Sequence, residues 1–267
     1  MTPPALDLES LLDVAVTAAH SGGEIVRAAF GSARDVQEKG PGDYVSETDM
    51  ASERAVRAVL LDADPTLPVF GEEEGGERAA AGWLVDPLDG TANFLHGFPI
   101  VGVSVGLVVD GRPVVGVVHA PLLGDTYTAR AGGGAHCNGR PIRVSTRSPE
   151  QGISATGFPF RKKRERLGEY KPVFDRALVT FEDLRRAGAA SLDLAWTAAG
   201  VFDGYFEQAL GPWDVAAGAV LVREAGGVVT DWVGDDDAWL TSGDIVAAPP
   251  VAHARLLELI RGDGQVE

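Results

Sequence analysis

The sequence predicts an α+β fold, two helices followed by an antiparallel sheet and then a mixed second half. Three observations carry this. Apolar residues recur at helical spacing through the N-terminal stretch that ends near Asp64-Pro65. From Pro68 the period shortens to that of strands, and the apolar runs end in acidic residues. From about Ile153 helix-like segments and strands follow one another to the end.

Leu8, Leu12, Ala15 and Ala19, continued by Ile25, Val26, Ala29 and Phe30, predict a long first helix with a break or flexible point at Gly22-Gly23. Asp35–Tyr44, with Gly40, Pro41 and Gly42, predicts a loop or short hairpin. A second helix starts at Thr48-Asp49, uses Ala55, Val59 and Leu60 as its apolar face, and stops near Asp64-Pro65. Pro68–Phe70 predicts a short strand that runs into Gly71-Glu72-Glu73-Glu74. Trp83-Leu84-Val85 predicts another that delivers Asp86, with Pro87 ending its pairing. Val101–Val109 and Val114–Val118 predict an antiparallel pair around an Asp110-Gly111 turn, with Thr126–Ala129 as a further strand.

In the second half Ser191–Ala199 predicts a helix that ends at Gly200. Val201–Glu207 and Val228–Asp231 predict strands, and Val215–Ala225 and Val251–Ile260 predict helices. Asp235-Asp236-Asp237 predicts a solvated turn. The expected organisation is two halves of one unit, residues 1–150 and 151–267.

Charge narrows the function classes. With 39 acidic and 23 basic residues the net charge is −16, which repels nucleic acid and anionic membranes. The basic cluster Arg161-Lys162-Lys163-Arg164, with Arg166, reads as a solvated loop. Cys137 stands alone, so no intramolecular disulfide forms, which suits a reducing cytoplasm. Asp7, Glu9 and Asp13 interrupt the N-terminus, so neither a leader nor an anchor is expected there. No apolar run approaches the ~18 residues of a membrane span.

The chemistry concentrates in carboxylates. In Asp86-Pro87-Leu88-Asp89-Gly90-Thr91 an apolar strand delivers two acids three residues apart across a turn. Gly90 lets backbone approach a ligand, and the N–H groups of a helical turn at Ala92–Leu95 suit a phosphate. The same residues also make a plain turn. Glu72 sits at another strand end, where three successive glutamates repel one another and a hard cation would relieve them. Glu72, Asp86, Asp89 and the Leu88 carbonyl form an all-oxygen donor set. Asp214 opens an apolar helix, and Asp49 lies in the first turn of another; both positions equally suit acids that complement a helix dipole. Asp49 with the Thr91 hydroxyl is a candidate pair for activating water. Glu207, at a strand end, and Arg185-Arg186 offer a carboxylate and planar cations to a ligand.

Six ordered blocks resemble the inositol monophosphatase family, especially its bacterial branch: GDYVSETDMASE, VFGEEE, WLVDPLDGTANFLHGFP, ARAGGGAHCNGRPI, RRAGAASLDLAWTAAGVFDGYFE and PWDVAAGAVLVREAGG. The resemblance implies an αβαβα layered sandwich of the type shared with fructose bisphosphatases, and a Mg²⁺-dependent, lithium-sensitive phosphatase using two or three ions. By position, Glu72, Asp86 and the Leu88 carbonyl match ligands of one metal, and Asp86, Asp89 and Asp214 those of a second. Asp49, Glu72 and Thr91 match the water-activating residues. Asp89, Gly90 and Thr91 match phosphate-binding positions, and Arg185, Ala190 and Glu207 match substrate-contacting ones. Lys39 falls near a loop lysine of the metal site. Ala92, where many relatives carry a second Thr, and Gly188-Ala189-Ala190-Ser191 depart from the commoner pattern.

The expected substrate is inositol 1-phosphate or a similar polyol or sugar phosphate. Fructose 1,6-bisphosphate, histidinol phosphate and a nucleotide 3′-phosphate are the alternatives. A cytoplasmic homodimer is expected, with no membrane or direct nucleic-acid contact. A regulatory role through a protein partner in transcription is the alternative from another class.

Overall fold

A computed structural model describes residues 6–32, 37–40, 43–159 and 162–263. Helix α1 (Leu8–Ala29) is a single unbroken helix, capped by the Asp7 carboxylate. The expected break at Gly22-Gly23 does not occur. These glycines are points of close approach instead. A Cβ on Gly22 would lie 2.6 Å from Ser52 Oγ, and one on Gly23 would lie 2.4 Å from the His119 ring. The hairpin β1 (Gln37–Gly40) and β2 (Asp43–Val45) follows, antiparallel. Lys39 lies on β1, and its side chain is outside the described residues. Helix α2 (Glu47–Ala63) packs along α1.

A seven-stranded sheet comes next: β3 (Val69–Gly71), β4 (Ala81–Asp89), β5 (Gly102–Val109), β6 (Arg112–Ala120), β7 (Asp125–Arg130), β8 (Gly134–Cys137) and β9 (Arg140–Ile142), in that spatial order. Only its β3–β4 pair is parallel. Asp110 (φ 49°) and Gly111 (φ 78°) make the β5–β6 turn with both residues left-handed, as its short, twisted hairpin demands. Pro87 does not end β4. The strand bulges between Asp86 and Asp89 and pairs again at Gly102. Helix α3 (Thr91–Leu95) leaves directly from its end.

The second sheet has the order β11 (Asp183–Arg185), β10 (Ile153–Thr156), β12 (Gly204–Glu207), β14 (Ile245–Ala248), β13 (Val228–Thr230). Helices α5 (Ala190–Ala198) and α6 (Pro212–Glu224) lie between the two sheets, and α4 (Lys163–Thr180) and α8 (Pro250–Arg261) cover the outer face of the second. A one-turn helix α7 (Trp239–Ser242) packs on α6. The basic run read as a loop therefore enters α4, whose interior holds Pro172.

The layers run α1/α2, first sheet, α5/α6, second sheet, α4/α8. Each gap holds one apolar core. Val56, Leu60, Trp83, Val103 and Leu107 fill the first, Leu192, Leu194, Tyr205, Val215 and Leu221 the second, and Tyr170, Phe206, Trp232 and Leu256 the third. Helix α6 can lie this close to the sheet because Gly116 has no side chain; a Cβ there would meet the Ala217 carbonyl at 2.3 Å. Among the described residues no helix is long and apolar enough to cross a membrane.

Candidate active site

The carboxylates meet where α6 points its N-terminus at the end of β4. Asp86 pairs across the ladder with Ser104 of β5. The Ser104 hydroxyl donates to the Trp213 carbonyl at 3.0 Å, and this bond seats the first turn of α6 over β4. Trp213 also packs on Phe70 of β3, ring centroids 5.8 Å apart. Three oxygens, one each from Glu72, Asp86 and Asp214, then lie within 4.8 Å of one another. Asp214 is also the N-terminal acid that helix chemistry allows, since its Oδ2 accepts the Gly211 N–H at 2.6 Å. The helix N-terminal role and a place in the carboxylate cluster are therefore compatible in one side chain.

Glu72 is singled out from its neighbours by a buried acid that the sequence reading did not pick. Glu53, fully buried on α2, accepts the N–H groups of Glu73 at 2.8 Å and Glu74 at 3.1 Å, and is paired with Arg57. Glu74 is paired with Arg54 and Arg57. Arginines thus relieve part of the glutamate repulsion, and Glu72 is left facing the cluster. Mid-helix acids normally point to water, so nothing in the sequence separates Glu53 from an ordinary surface glutamate.

Burial first, then Glu72, Asp89 and Asp214, push the Asp86 carboxyl well above the usual range. Burial and Asp214 push Asp89 up as well, while hydrogen bonds from Ser191 and the Ala190 backbone pull it down. Such crowding of buried like charges, with oxygen donors alone, fits a hard divalent cation.

Thr91 stands beside the cluster. Its hydroxyl is 3.0 Å from Asp49 Oδ1 and 3.1 Å from the Leu88 carbonyl. The other Asp49 oxygen accepts the Ser46 N–H at 2.9 Å and the Ser46 hydroxyl at 2.5 Å, so one carboxylate caps α2 and holds Thr91. Burial raises the Asp49 carboxyl against these hydrogen bonds. Gly90 has φ 91°, and a Cβ there would lie 2.9 Å from the Ile100 carbonyl, so the turn needs glycine.

A cleft of about 140 Å³ opens over these groups, lined by Glu72, Asp86, Asp89, Thr91, Asp214 and, on its far wall, Arg186, Ala190 and Glu207. The Tyr205 hydroxyl donates to Glu207 Oε2 at 2.6 Å, and burial pushes the Glu207 carboxyl up to about 7. Gly157 stands behind Glu207, where a Cβ would lie 1.9 Å from its carboxyl carbon. Of the two arginines that the sequence offers, Arg185 is not among the residues that line the cleft. It is exposed and ion-paired with Asp183 at 2.5 Å, whereas the next residue, Arg186, likewise exposed, lines the cleft. Arg185 is the last residue of β11, and Arg186 follows it in the connection to α5.

The layered α+β sandwich with this buried, all-oxygen carboxylate centre defines the class of protein. The model of the inositol monophosphatase family matches residues 7–265. The chain is 42% identical over 263 residues to a Nus factor SuhB of Pseudomonas aeruginosa, covering 95% of this chain and 97% of that one. It is 40% identical over 258 residues to an inositol-1-monophosphatase of Mesorhizobium japonicum, covering 94% and 96%. A crystal structure of the extragenic suppressor protein suhB from Bartonella henselae superposes with TM-score 0.89 at 38% identity, covering 94% of this chain and 98% of that one. The chain belongs to the inositol monophosphatase family. Membership supports a phosphatase of that superfamily.

Proposed function

We propose that this protein is a Mg²⁺-dependent phosphomonoesterase acting on inositol 1-phosphate or a similar polyol or sugar phosphate. The observation that carries the reading is the cluster of Glu72, Asp86 and Asp214 within 4.8 Å, with the Thr91–Asp49 pair beside it. Glu72, Asp86 and the Leu88 carbonyl would hold one ion; Asp86, Asp89 and Asp214 would hold another. When bound, Mg²⁺ supplies neutralisation of phosphoryl charge and lowers the pKa of water at the site.

The chain's own groups do the rest. Thr91 donates its hydroxyl hydrogen bond to Asp49, which leaves its oxygen lone pairs to accept from and orient the attacking water. Glu72, which lines the same cleft, shares the general-base work. The backbone at Gly90 and Thr91 receives the phosphate. Glu207 takes substrate hydroxyls on the far wall, with Arg186 and the Ala190 turn beside it. Arg186 replaces Arg185 in this assignment.

Phosphate release tests the reading, with inositol 1-phosphate, fructose 1,6-bisphosphate, histidinol phosphate and adenosine 3′,5′-bisphosphate, each with Mg²⁺, EDTA and Li⁺. Release from at least one ester, abolished by EDTA and reduced by Li⁺, is expected. No release from any of them overturns it.

A second reading, a protein partner in transcription, draws on the Nus-factor relative. Co-purification of RNA polymerase with the tagged protein tests it. We further propose a cytoplasmic homodimer, by family analogy, to be tested by light scattering and cell fractionation.

A further inference from the structure

Gln208 lies directly beyond Glu207, past the end of β12. Its side chain is buried, 2% exposed, and lines the same cleft. Its Oε1 has no hydrogen-bond partner. A carboxamide carries two donors and an acceptor, and buried groups of this kind are nearly always paired.

The surrounding backbone is fixed rather than loose. Ala209 has φ 63°, in the left-handed region that disfavours a Cβ. Its N–H donates to Asp244 Oδ1 at 3.1 Å, and Asp244 is ion-paired with Arg166. The Leu210 N–H donates to the Gly243 carbonyl at 2.9 Å. On the other side Trp232 Nε1 donates to the Glu207 carbonyl at 3.0 Å. Strained backbone held on both sides by hydrogen bonds is typical of a ligand clamp. The Tyr205 hydroxyl already takes one oxygen of Glu207, so the carboxylate has its second oxygen for a ligand.

We propose that Gln208 is a specificity-determining residue, its amide oxygen accepting a hydroxyl proton of the alcohol half of the substrate beside Glu207. The cleft thereby selects esters of polyhydroxylated alcohols over esters of plain ones. This rests on the phosphatase reading above.

The test compares inositol 1-phosphate with propyl phosphate on wild type and Gln208→Leu, with Mg²⁺. Gln208→Leu should raise KM for inositol 1-phosphate roughly tenfold, the worth of one hydrogen bond, and leave kcat and the KM for propyl phosphate unchanged. The variant should melt no lower than wild type, because the amide oxygen makes no hydrogen bond among the described residues. If leucine lowers the melting temperature, Gln208→Met supplies the same kinetic comparison with an unbranched side chain. An equal KM rise for both esters, or no rise for either, overturns the role of Gln208 alone. The comparison is run on whichever polyol or sugar phosphate of the panel above the wild type hydrolyses, and no turnover of any ester in that panel overturns the phosphatase reading, and the role of Gln208 with it.

Discussion

Asp89 Oδ2 accepts two hydrogen bonds from Ser191, one from the backbone N–H and one from the hydroxyl, each 2.6 Å long. Asp89 ends β4 in the first half, and Ser191 lies in the first turn of α5 in the second. Ser191→Ala keeps the N–H bond and removes the other. Hydrogen bonds to buried charged groups contribute about 1.5–3 kcal/mol. A loss of that size in a urea titration, with the fold retained by circular dichroism, is expected. Unchanged stability would show that the hydroxyl does not hold the halves together.

Removing metal should make stability depend on pH in a defined direction. Asp86, Asp89 and Glu207 are raised in the folded state, Glu207 to about 7. A folded-state value above the unfolded one gives stability that is present at low pH and lost as pH rises through the folded value. The EDTA-treated protein should therefore melt at progressively lower temperature from about pH 5 to 8. Added Mg²⁺ should raise the melting temperature more at pH 8 than at pH 5. A melting temperature indifferent to Mg²⁺ across that range would refute the cluster as a cation site.

Thr91→Val tests the hydroxyl between Asp49 and the cleft. The side chain keeps its volume and loses its donor. Positioned proton transfer contributes about 10²–10⁴-fold, so kcat should fall by about that factor, with a loss of stability of about 1–3 kcal/mol from the unpaired Asp49 oxygen and little change in Mg²⁺ affinity. A variant with wild-type kcat would remove the pair from the mechanism.

Gly22→Ala separates helix propensity from packing. In an isolated helix alanine would gain about 1 kcal/mol. Here its Cβ would lie 2.6 Å from Ser52 Oγ and 2.8 Å from Val56 Cγ2. A net loss of about 1–3 kcal/mol in a denaturant titration is expected, as for other overpacked sites. A stabilised variant would mean that α1 and α2 separate freely.

What could be read from the sequence follows from what each signal encodes. The segment from Asp86 to Thr91 was legible because acid spacing, Gly90 and the following helical turn are all local. The α+β class was legible because the apolar runs change period at Pro68, whereas the layering came from the family resemblance. Helix α4 was not: its start is a run of cations, and Pro172 interrupts its interior. Gly22-Gly23 reads as a break because a sequence does not show what stands opposite a missing side chain. Pro87 reads as a strand end, yet a bulge gives the chain room to continue. Glu53 and Ser191 act on residues far along the chain, and no local pattern marks such partners.

The position of Asp214 has a consequence for how the molecule is made. Synthesis proceeds from the N-terminus at about 5–20 residues per second, and N-terminal segments fold first. Glu72, Asp86 and Asp89 emerge well over a hundred residues before Asp214 and α6. During that interval the nascent chain carries three acids on and beside β3 and β4 with no α6 to cover them, and the apolar face of the first sheet lies open. The growing chain is most exposed to chaperones in this window, and the site closes only when α6 docks.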